Sequence, residues 1–273
     1  MTGPIDVIIV SCNTRAPLGA CLQSLRDACS ETVRQVIVVD NASGDGSASM
    51  VRERFPEVDL VALDRNVGFG AANNVGFGRA TAPLVLLLNP DTVVPAGAIE
   101  SLAARREATG AVAAGPLLTD GTGRPEVSFG PMLSPLAEAR QWLWQRLARS
   151  PSGLATWLTA RHVAAERFVD WVTAACCLLD RQAAVGAGLF DERYFLYEED
   201  VDLCAALRAR GGRILYTPAI EVVHARGQAS AGAGPGVARR HYDRSHQLFY
   251  EKHRPGWARL LAVWQRLAGR AIR

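Results

Sequence analysis

Four short apolar runs, each followed by a polar turn, fill the first third of the chain and leave few folds open to it. They are Val7 to Ser11, Val36 to Val39, Val58 to Leu63 and Leu84 to Leu88. Between them lie segments of helical spacing: Pro17 to Ala28, with Leu18, Leu22 and Leu25 on one face, then Ser47 to Phe55 and Ala71 to Ala80. Buried strands alternating with short helices predict a mostly parallel sheet with helices on both faces. Ligands of such sheets bind beyond the carboxyl ends of the strands. Ser11, Asp40, Asp64-Arg65-Asn66 and Asn89-Pro90-Asp91 all stand at such ends.

The second half is less regular. Leu133 to Val163 carries Trp142, Trp144 and Trp157 among leucines and arginines, and reads as helical. Asp170 to Leu179 is strand-like, Glu198 to Arg210 is a helix stopped by Gly211-Gly212, and Ile214 to Tyr216 and Ile220 to His224 are two short strands. Gly227 to Gly236 has almost no packing capacity and is expected to be a mobile loop that closes over a ligand. Helical spacing resumes at Val237. The division expected is an α/β domain over residues 1–230, then the loop and basic amphipathic helices over 231–273.

A chain of 273 residues, 49% hydrophobic, can bury one large core. Its net charge of +3 gives no global field of the kind that marks nucleic-acid binders. The six cysteines, Cys12, Cys21, Cys29, Cys176, Cys177 and Cys204, form no C-x-x-C pair and read as buried free thiols of a reducing compartment. No apolar run reaches the roughly 18 residues of a membrane span. The expected location is cytoplasmic, with at most peripheral contact at the inner face of the membrane. Trp257, Leu260, Leu261, Trp264, Leu267, Ala268 and Ile272 recur at helical spacing among arginines, which suits an interfacial helix, a packed helix or a dimer contact alike.

Three clusters can carry chemistry. Asn89-Pro90-Asp91 follows a buried strand, where a carboxylate can hold a divalent cation; the same residues also make an ordinary turn. Glu198-Glu199-Asp200-Val201-Asp202 opens a helix, where acids complement the helix dipole; four acids in five positions also offer a general base. His224 ends a strand and is either structural or a metal ligand. The glycines of Gly68-Phe69-Gly70 follow the third strand rather than the first, so a dinucleotide fingerprint is excluded. A Walker A lysine and a G-x-S-x-G elbow are both absent, and Asp40 to Gly46 has its glycine and acids misplaced for a calcium loop.

Taken in order, these segments resemble family 2 glycosyltransferases with the GT-A fold, whose nucleotide-sugar binding half is Rossmann-like. The resemblance rests on Val38-Val39-Asp40-Asn41-Ala42-Ser43-Gly44-Asp45-Gly46-Ser47 and on Arg65-Asn66-Val67-Gly68-Phe69-Gly70-Ala71-Ala72-Asn73-Asn74. Leu88-Asn89-Pro90-Asp91 and Phe195-Leu196-Tyr197-Glu198-Glu199-Asp200-Val201-Asp202-Leu203 complete it. The wording is closest to the rhamnosyltransferase-like branch. The resemblance implies that Asp40 binds the pyrimidine of the donor, with Ser11 and Asn13 in the turn lining the nucleoside. It assigns Arg65, Asn66, Asn73 and Asn89 to the same nucleotide site. Asp91 then binds Mg²⁺ or Mn²⁺, with His224 as second ligand or diphosphate contact, and Asn89 stands where many members have aspartate. Asp200 becomes the catalytic base, with Glu199 the alternative.

The implied reaction is inverting transfer of L-rhamnose from dTDP-L-rhamnose to a hydroxyl of a glycan or lipid-linked saccharide. Rival readings are the same chemistry with UDP-galactofuranose, a UDP-hexose or a UDP-N-acetylhexosamine, and a non-catalytic nucleotide-sugar binding protein.

Overall fold

A computed structural model describes residues 3–28, 30–225 and 235–267. The first half is the expected alternation. β1 (Ile5–Ser11) is buried along its whole length, and is followed by α1 (Arg15–Ala28), β2 (Val33–Asp40), α2 (Ser47–Arg54), β3 (Asp59–Ala62), α3 (Phe69–Arg79) and β4 (Leu84–Leu88). Next come β5 (Thr92–Val93), α4 (Ala98–Thr109), β6 (Ala113–Thr119) and β7 (Phe129–Gly130). The expected helical stretch is two helices, α5 (Pro135–Ala148) and α6 (Gly153–Val163), separated by Arg149-Ser150-Pro151-Ser152. Then follow β8 (Arg167–Val169), β9 (Trp171–Val172), β10 (Cys176–Asp180), α7 (Arg181–Ala187), α8 (Glu199–Ala209) and β11 (Ile214–His224). The described chain ends with α9 (Pro235–His253) and α10 (Pro255–Leu267).

One mixed sheet runs β3-β2-β1-β4-β10-β6-β11-β5, with β8 also paired to β11. The strands β3, β2, β1, β4, β6 and β11 point one way; β10, β5 and β8 are reversed. The architecture is therefore α/β and mostly parallel, as expected. Alternate side chains of β1 feed two cores. Ile8 and Val10 face α3 and α8, while Val7 and Ile9 face α1, α2 and α4. Such two-sided burial explains why the strands read as continuous apolar runs.

Three differences from expectation have local causes. The two short strands expected over 214–224 are one strand whose register against β6 shifts between Thr217 and Glu221. Pro218, which lacks a backbone N–H, sits inside that shift and made the run look interrupted. The run from Asp170 breaks into β9, paired with β7 in a separate two-stranded sheet, and β10 of the main sheet, with Thr173, Ala174 and Ala175 connecting the two. The helix α4 and strand β6 were not anticipated; Ala113-Ala114-Gly115-Pro116 lacks the β-branched residues that advertise a strand.

Asp6 is the one acid within β1, and it has no exposure at all. Arg34 forks onto it from β2 at 2.9 and 2.8 Å, and the Thr81 and Ala82 amides donate at 2.7 and 2.8 Å. Burial pushes the Asp6 pKa up, but these donors outweigh it and hold it below the ordinary carboxylate value. A depressed folded pKa means that Asp6 stabilises the fold above the ordinary aspartate range, and that this is lost as pH falls through the folded value. Helix α3 lies close on β1: a Cβ on Gly76 would fall 2.5 Å from Ile8 Cγ2.

The C-terminal helices are docked onto the sheet domain. In α10, Ala258 is buried and Leu261 packs on the main core, whereas Trp257, Leu260 and Val263 are exposed. The apolar stripe expected there thus divides between a packed face and an outer one. The Trp264 and Leu267 side chains, and Ala268 and Ile272, lie outside the described residues, as do residues 227–234 of the expected loop. Pro235 and Gly236 open α9. Among the described residues, no helix is long and apolar enough to cross a membrane.

Candidate functional site

Parallel register sets Ser11 beside Asp40 at the carboxyl ends of β1 and β2. The turns that follow are laced together. Asn13, in a left-handed conformation at φ 55°, accepts the Gly44 amide at 2.7 Å, while the Asn13 amide donates to Ser43 Oγ at 2.9 Å. The Arg15 amide donates to Asp45 at 2.8 Å, and Ser11 Oγ and Thr14 Oγ1 share a hydrogen bond of 2.8 Å. Asp40 is 3% exposed; one of its oxygens accepts the Ser43 amide at 3.0 Å, and the other, Oδ1, is buried with no hydrogen-bond partner. An unsatisfied buried carboxylate oxygen costs free energy unless a ligand donor meets it.

Asn41 ties this corner to the next strand end. Its amide donates to Asn66 Oδ1 and the Gly68 carbonyl, and its Oδ1 accepts the Val67 amide. Asn66 is consequently a loop former, accepting the Gly68 amide at 2.9 Å. Arg65 is exposed on that loop. Asn73 is not brought to it. It is 1% exposed and donates to the Phe69 carbonyl of its own helix at 3.0 Å.

The second centre is built by β5 and β11. Their antiparallel pairing places His224 opposite Thr92, and so next to Asp91. His224 Nε2 lies 3.2 Å from Asp91 Oδ1 and 3.3 Å from Asn89 Nδ2; its Nδ1 lies 3.3 Å from Glu126 Oε2. Burial lowers the His224 pKa, but the Asp91 and Glu126 carboxylates more than compensate and raise it to about 9. Glu126 was not anticipated. It lies in a stretch without sequence pattern, and only the folded chain puts it behind the histidine.

The third element is the acid cluster, and its four acids divide. Glu198 lies 3.2 Å from His246 Nδ1 of α9, and His246 Nε2 reaches Glu138 of α5, also at 3.2 Å. Asp202 accepts from Lys252 at 2.8 Å, His253 at 2.6 Å and Tyr194 at 3.3 Å. These two acids anchor α9 and account for half the cluster. Glu199 is 5% exposed, and its Oε2 is buried without a partner; burial, then Asp200 and Glu198, raise its pKa well above the ordinary value.

Asp200 is half-buried and accepts the Ala174 amide at 3.1 Å and the Val201 amide at 2.8 Å. Burial raises its pKa, only partly opposed by those amides and the Thr173 hydroxyl. The neighbouring Ala175 carbonyl accepts the Asn89 amide at 2.9 Å. The connecting segment 173–175 thus holds Asp200 by one residue and the Asn89-Pro90-Asp91 turn by the next. The acid cluster also meets the first corner. The Phe69 amide donates to the Phe195 carbonyl at 2.9 Å, and a Cβ on Gly68, at φ 94°, would fall 2.6 Å from that oxygen. Only glycine allows that approach.

Residues 6–150 match the model of a family described as Glycosyl transferase family 2. Over its whole length the chain is 32% identical to an N-acetylglucosaminyl-diphospho-decaprenol L-rhamnosyltransferase of Mycobacterium tuberculosis, covering 92% of that protein. The chain is a family 2 glycosyltransferase. Among solved structures, this glycosyltransferase resembles a mannosyltransferase from Pyrobaculum calidifontis in complex with GDP-Man and Mn²⁺. The TM-score is 0.61 at 17% identity, over 96% of this chain and 68% of that one. It also resembles GalNAc-T7 with UDP, GalNAc and Mn²⁺, at TM-score 0.64 and 15% identity, over 91% of this chain and 50% of that one. Both likenesses show the GT-A fold.

The family match ends before the acid cluster, whereas the full-length relative spans it. Asn41, Glu126 and the 173–175 segment are the parts of this site that sequence reasoning missed. Asn41 carried a signal, since it shares a turn with Asp40. Among the described residues, no three His, Cys, Asp or Glu side chains converge on one metal-sized point. Asp91 and His224 nevertheless supply a hard carboxylate oxygen and an imidazole nitrogen side by side, with Glu126 orienting the ring from behind. That donor set fits a Mg²⁺ or Mn²⁺ that takes its remaining ligands from water and a diphosphate.

Proposed function

We propose that this glycosyltransferase transfers L-rhamnose from dTDP-L-rhamnose to a hydroxyl of a lipid-linked saccharide, with inversion and with the help of Mg²⁺ or Mn²⁺. The observation that carries the reading is the juxtaposition, through one short segment, of a metal-type pair, Asp91 and His224, and a half-buried carboxylate of raised pKa, Asp200. The name of the full-length mycobacterial relative supports the donor and the lipid-linked acceptor.

Asp40 Oδ1 would accept the ring N–H of the pyrimidine, which gives its buried oxygen the donor it lacks. Ser11 and Asn13 shape the nucleoside turn, and Arg65 is the exposed cation beside it. Asp91 and His224 would hold the cation, which when bound neutralises the departing diphosphate. Asp200 would take the proton of the attacking hydroxyl, and its raised pKa suits a base that must hold that proton. Glu199, shut away from solvent, is the weaker candidate. One displacement with one base inverts the anomeric centre.

Thymine and uracil share the edge that Asp40 would read, and a solved neighbour carries UDP; UDP sugars are therefore the second reading. Thermal melts with Mn²⁺ and a panel of nucleotide sugars separate the two. Saturating dTDP-L-rhamnose is expected to raise Tm by on the order of 5 °C, more than any UDP sugar. A larger shift with a UDP sugar would move the assignment to that donor, and an equal shift with GDP-mannose would remove the Asp40 contact from the account.

A further inference from the structure

Besides the apolar residues they turn inward, the helices α5 and α6 carry a second set on their outer side. No residue of α5 is fully buried. Its inner face uses Trp144, stacked on His162 at 3.9 Å, with Ala148 and Gln141. Its outer face holds Leu136 at 82% exposure, Trp142 at 60% and Leu143 at 49%. In α6 the outer residues are Leu154 at 66% and Trp157 at 52%, with Leu158 and Arg161 completing an i, i+3, i+4, i+7 stripe. An amphipathic helix normally turns that stripe to the core. The site described above uses none of these residues.

Beyond Glu138, which is engaged by His246 and Tyr250, the charge around them has one sign. From Ala139 to Ala165 there is no acid, while Arg140, Arg146, Arg149 and Arg161 are all present. Arg146 lies over the Trp142 ring at 5.3 Å and Arg161 over the Trp157 ring at 5.0 Å. Exposed tryptophan and leucine interleaved with arginine match the composition of a helix lying in a headgroup layer. A second copy of the chain is a poor occupant, because a two-fold contact through this face would bring like charges together. Neither helix is long enough to span a bilayer.

We propose that the outer face of the α5–α6 hairpin lies on an anionic lipid bilayer, with Trp142, Leu143, Leu154 and Trp157 in the interface and Arg140, Arg146 and Arg161 among lipid phosphates. This inference rests on the surface itself and not on the assignment of donor or acceptor. It also has a geometric consequence for the site. Gln145 and Ala148 of α5, and Arg149 just beyond its end, line a cavity of about 270 Å³ together with Glu126, the residue that holds His224. A single helix thus touches the proposed membrane with one face and shares a cavity with Glu126, the residue behind His224, at its end.

The full chain is floated with vesicles of phosphatidylcholine, with and without about one-third phosphatidylglycerol, the lipid charge being the attraction invoked. Wild type is expected to partition roughly tenfold or more better onto the anionic vesicles, and to lose that gain in high salt. The variant Trp142→Ser/Leu143→Ser/Leu154→Ser/Trp157→Ser is expected to lose on the order of tenfold in partitioning with an unchanged circular dichroism spectrum and Tm, since all four side chains are exposed. The milder Arg140→Gln/Arg146→Gln/Arg161→Gln should bind neutral and anionic vesicles equally. A third variant, Trp257→Ser/Leu260→Ser, probes the outer face of α10 and should bind as wild type does. The proposal is overturned if wild type does not float, if the hairpin serine variant floats like wild type, or if only the α10 variant loses binding. A dimer in the absence of vesicles that the serine variant splits would equally overturn it, by assigning the face to a second copy.

Discussion

Asp200→Asn is expected to lower sugar transfer by about 10²- to 10⁴-fold, the usual contribution of a general base. The substitution keeps the side-chain volume and an oxygen able to accept the Ala174 amide, so the local fold should stand. What it removes is basicity. Calorimetry should show nucleotide binding within about threefold of wild type, because the loss falls on the transition state rather than on ground-state binding. The pH profile gives a second reading. The Asp200 pKa is raised by burial, so the acidic limb of kcat/KM should lie above the ordinary aspartate range. The variant should lack that limb. Transfer by the variant within about threefold of wild type would take the role away from Asp200 and leave Glu199 to be tested.

Asp91→Ala is expected to abolish the gain in donor affinity that Mn²⁺ confers. Asp91 is 3% exposed and lies 3.2 Å from His224 Nε2, so its loss removes half of the protein's metal-type pair. Glu126→Gln is the graded control. Glu126 touches His224 only from the far side of the ring, and a residue that orients a ligand is typically worth about 10- to 100-fold in metal affinity. The expected order of damage is therefore Asp91→Ala above Glu126→Gln, read by calorimetry with the donor nucleotide in the presence of Mn²⁺ and of EDTA. If Asp91→Ala keeps the full metal-induced gain, the ligand assignment is wrong. If Glu126→Gln does the greater harm, the two carboxylates exchange roles.

Much of this was legible along the chain because the N-terminal half is local. Strands with both faces covered read as plain apolar runs, and the polar residue that ends each run is also the residue at the ligand edge. Ser11, Asp40 and Asp91 could be picked out on that ground alone. His224 could not. It looked like a lone histidine until the β5–β11 pairing set it against Asp91, across 132 intervening positions that no spacing rule connects. Glu126 was illegible for the same reason. The acid cluster was legible as a cluster but not in its division of labour, since the partners of Glu198 and Asp202 lie on α9, about fifty residues downstream. Asn73 shows the converse. It stands within a family motif, yet its amide serves the carbonyl four residues before it. A motif does not by itself say which of its side chains point away from their own helix.

The measurement that bears most directly on the account is the anomeric configuration of the product, followed by NMR from the first turnovers. The enzyme is supplied with dTDP-L-rhamnose, a lipid-linked saccharide acceptor and Mn²⁺. The account predicts a single product glycoside of configuration opposite to that of the donor, whose formation stops on adding EDTA and resumes with excess Mn²⁺. A product of retained configuration would require two displacements and so contradict the single base at Asp200. Transfer that continues unchanged in EDTA would contradict the role given to Asp91 and His224.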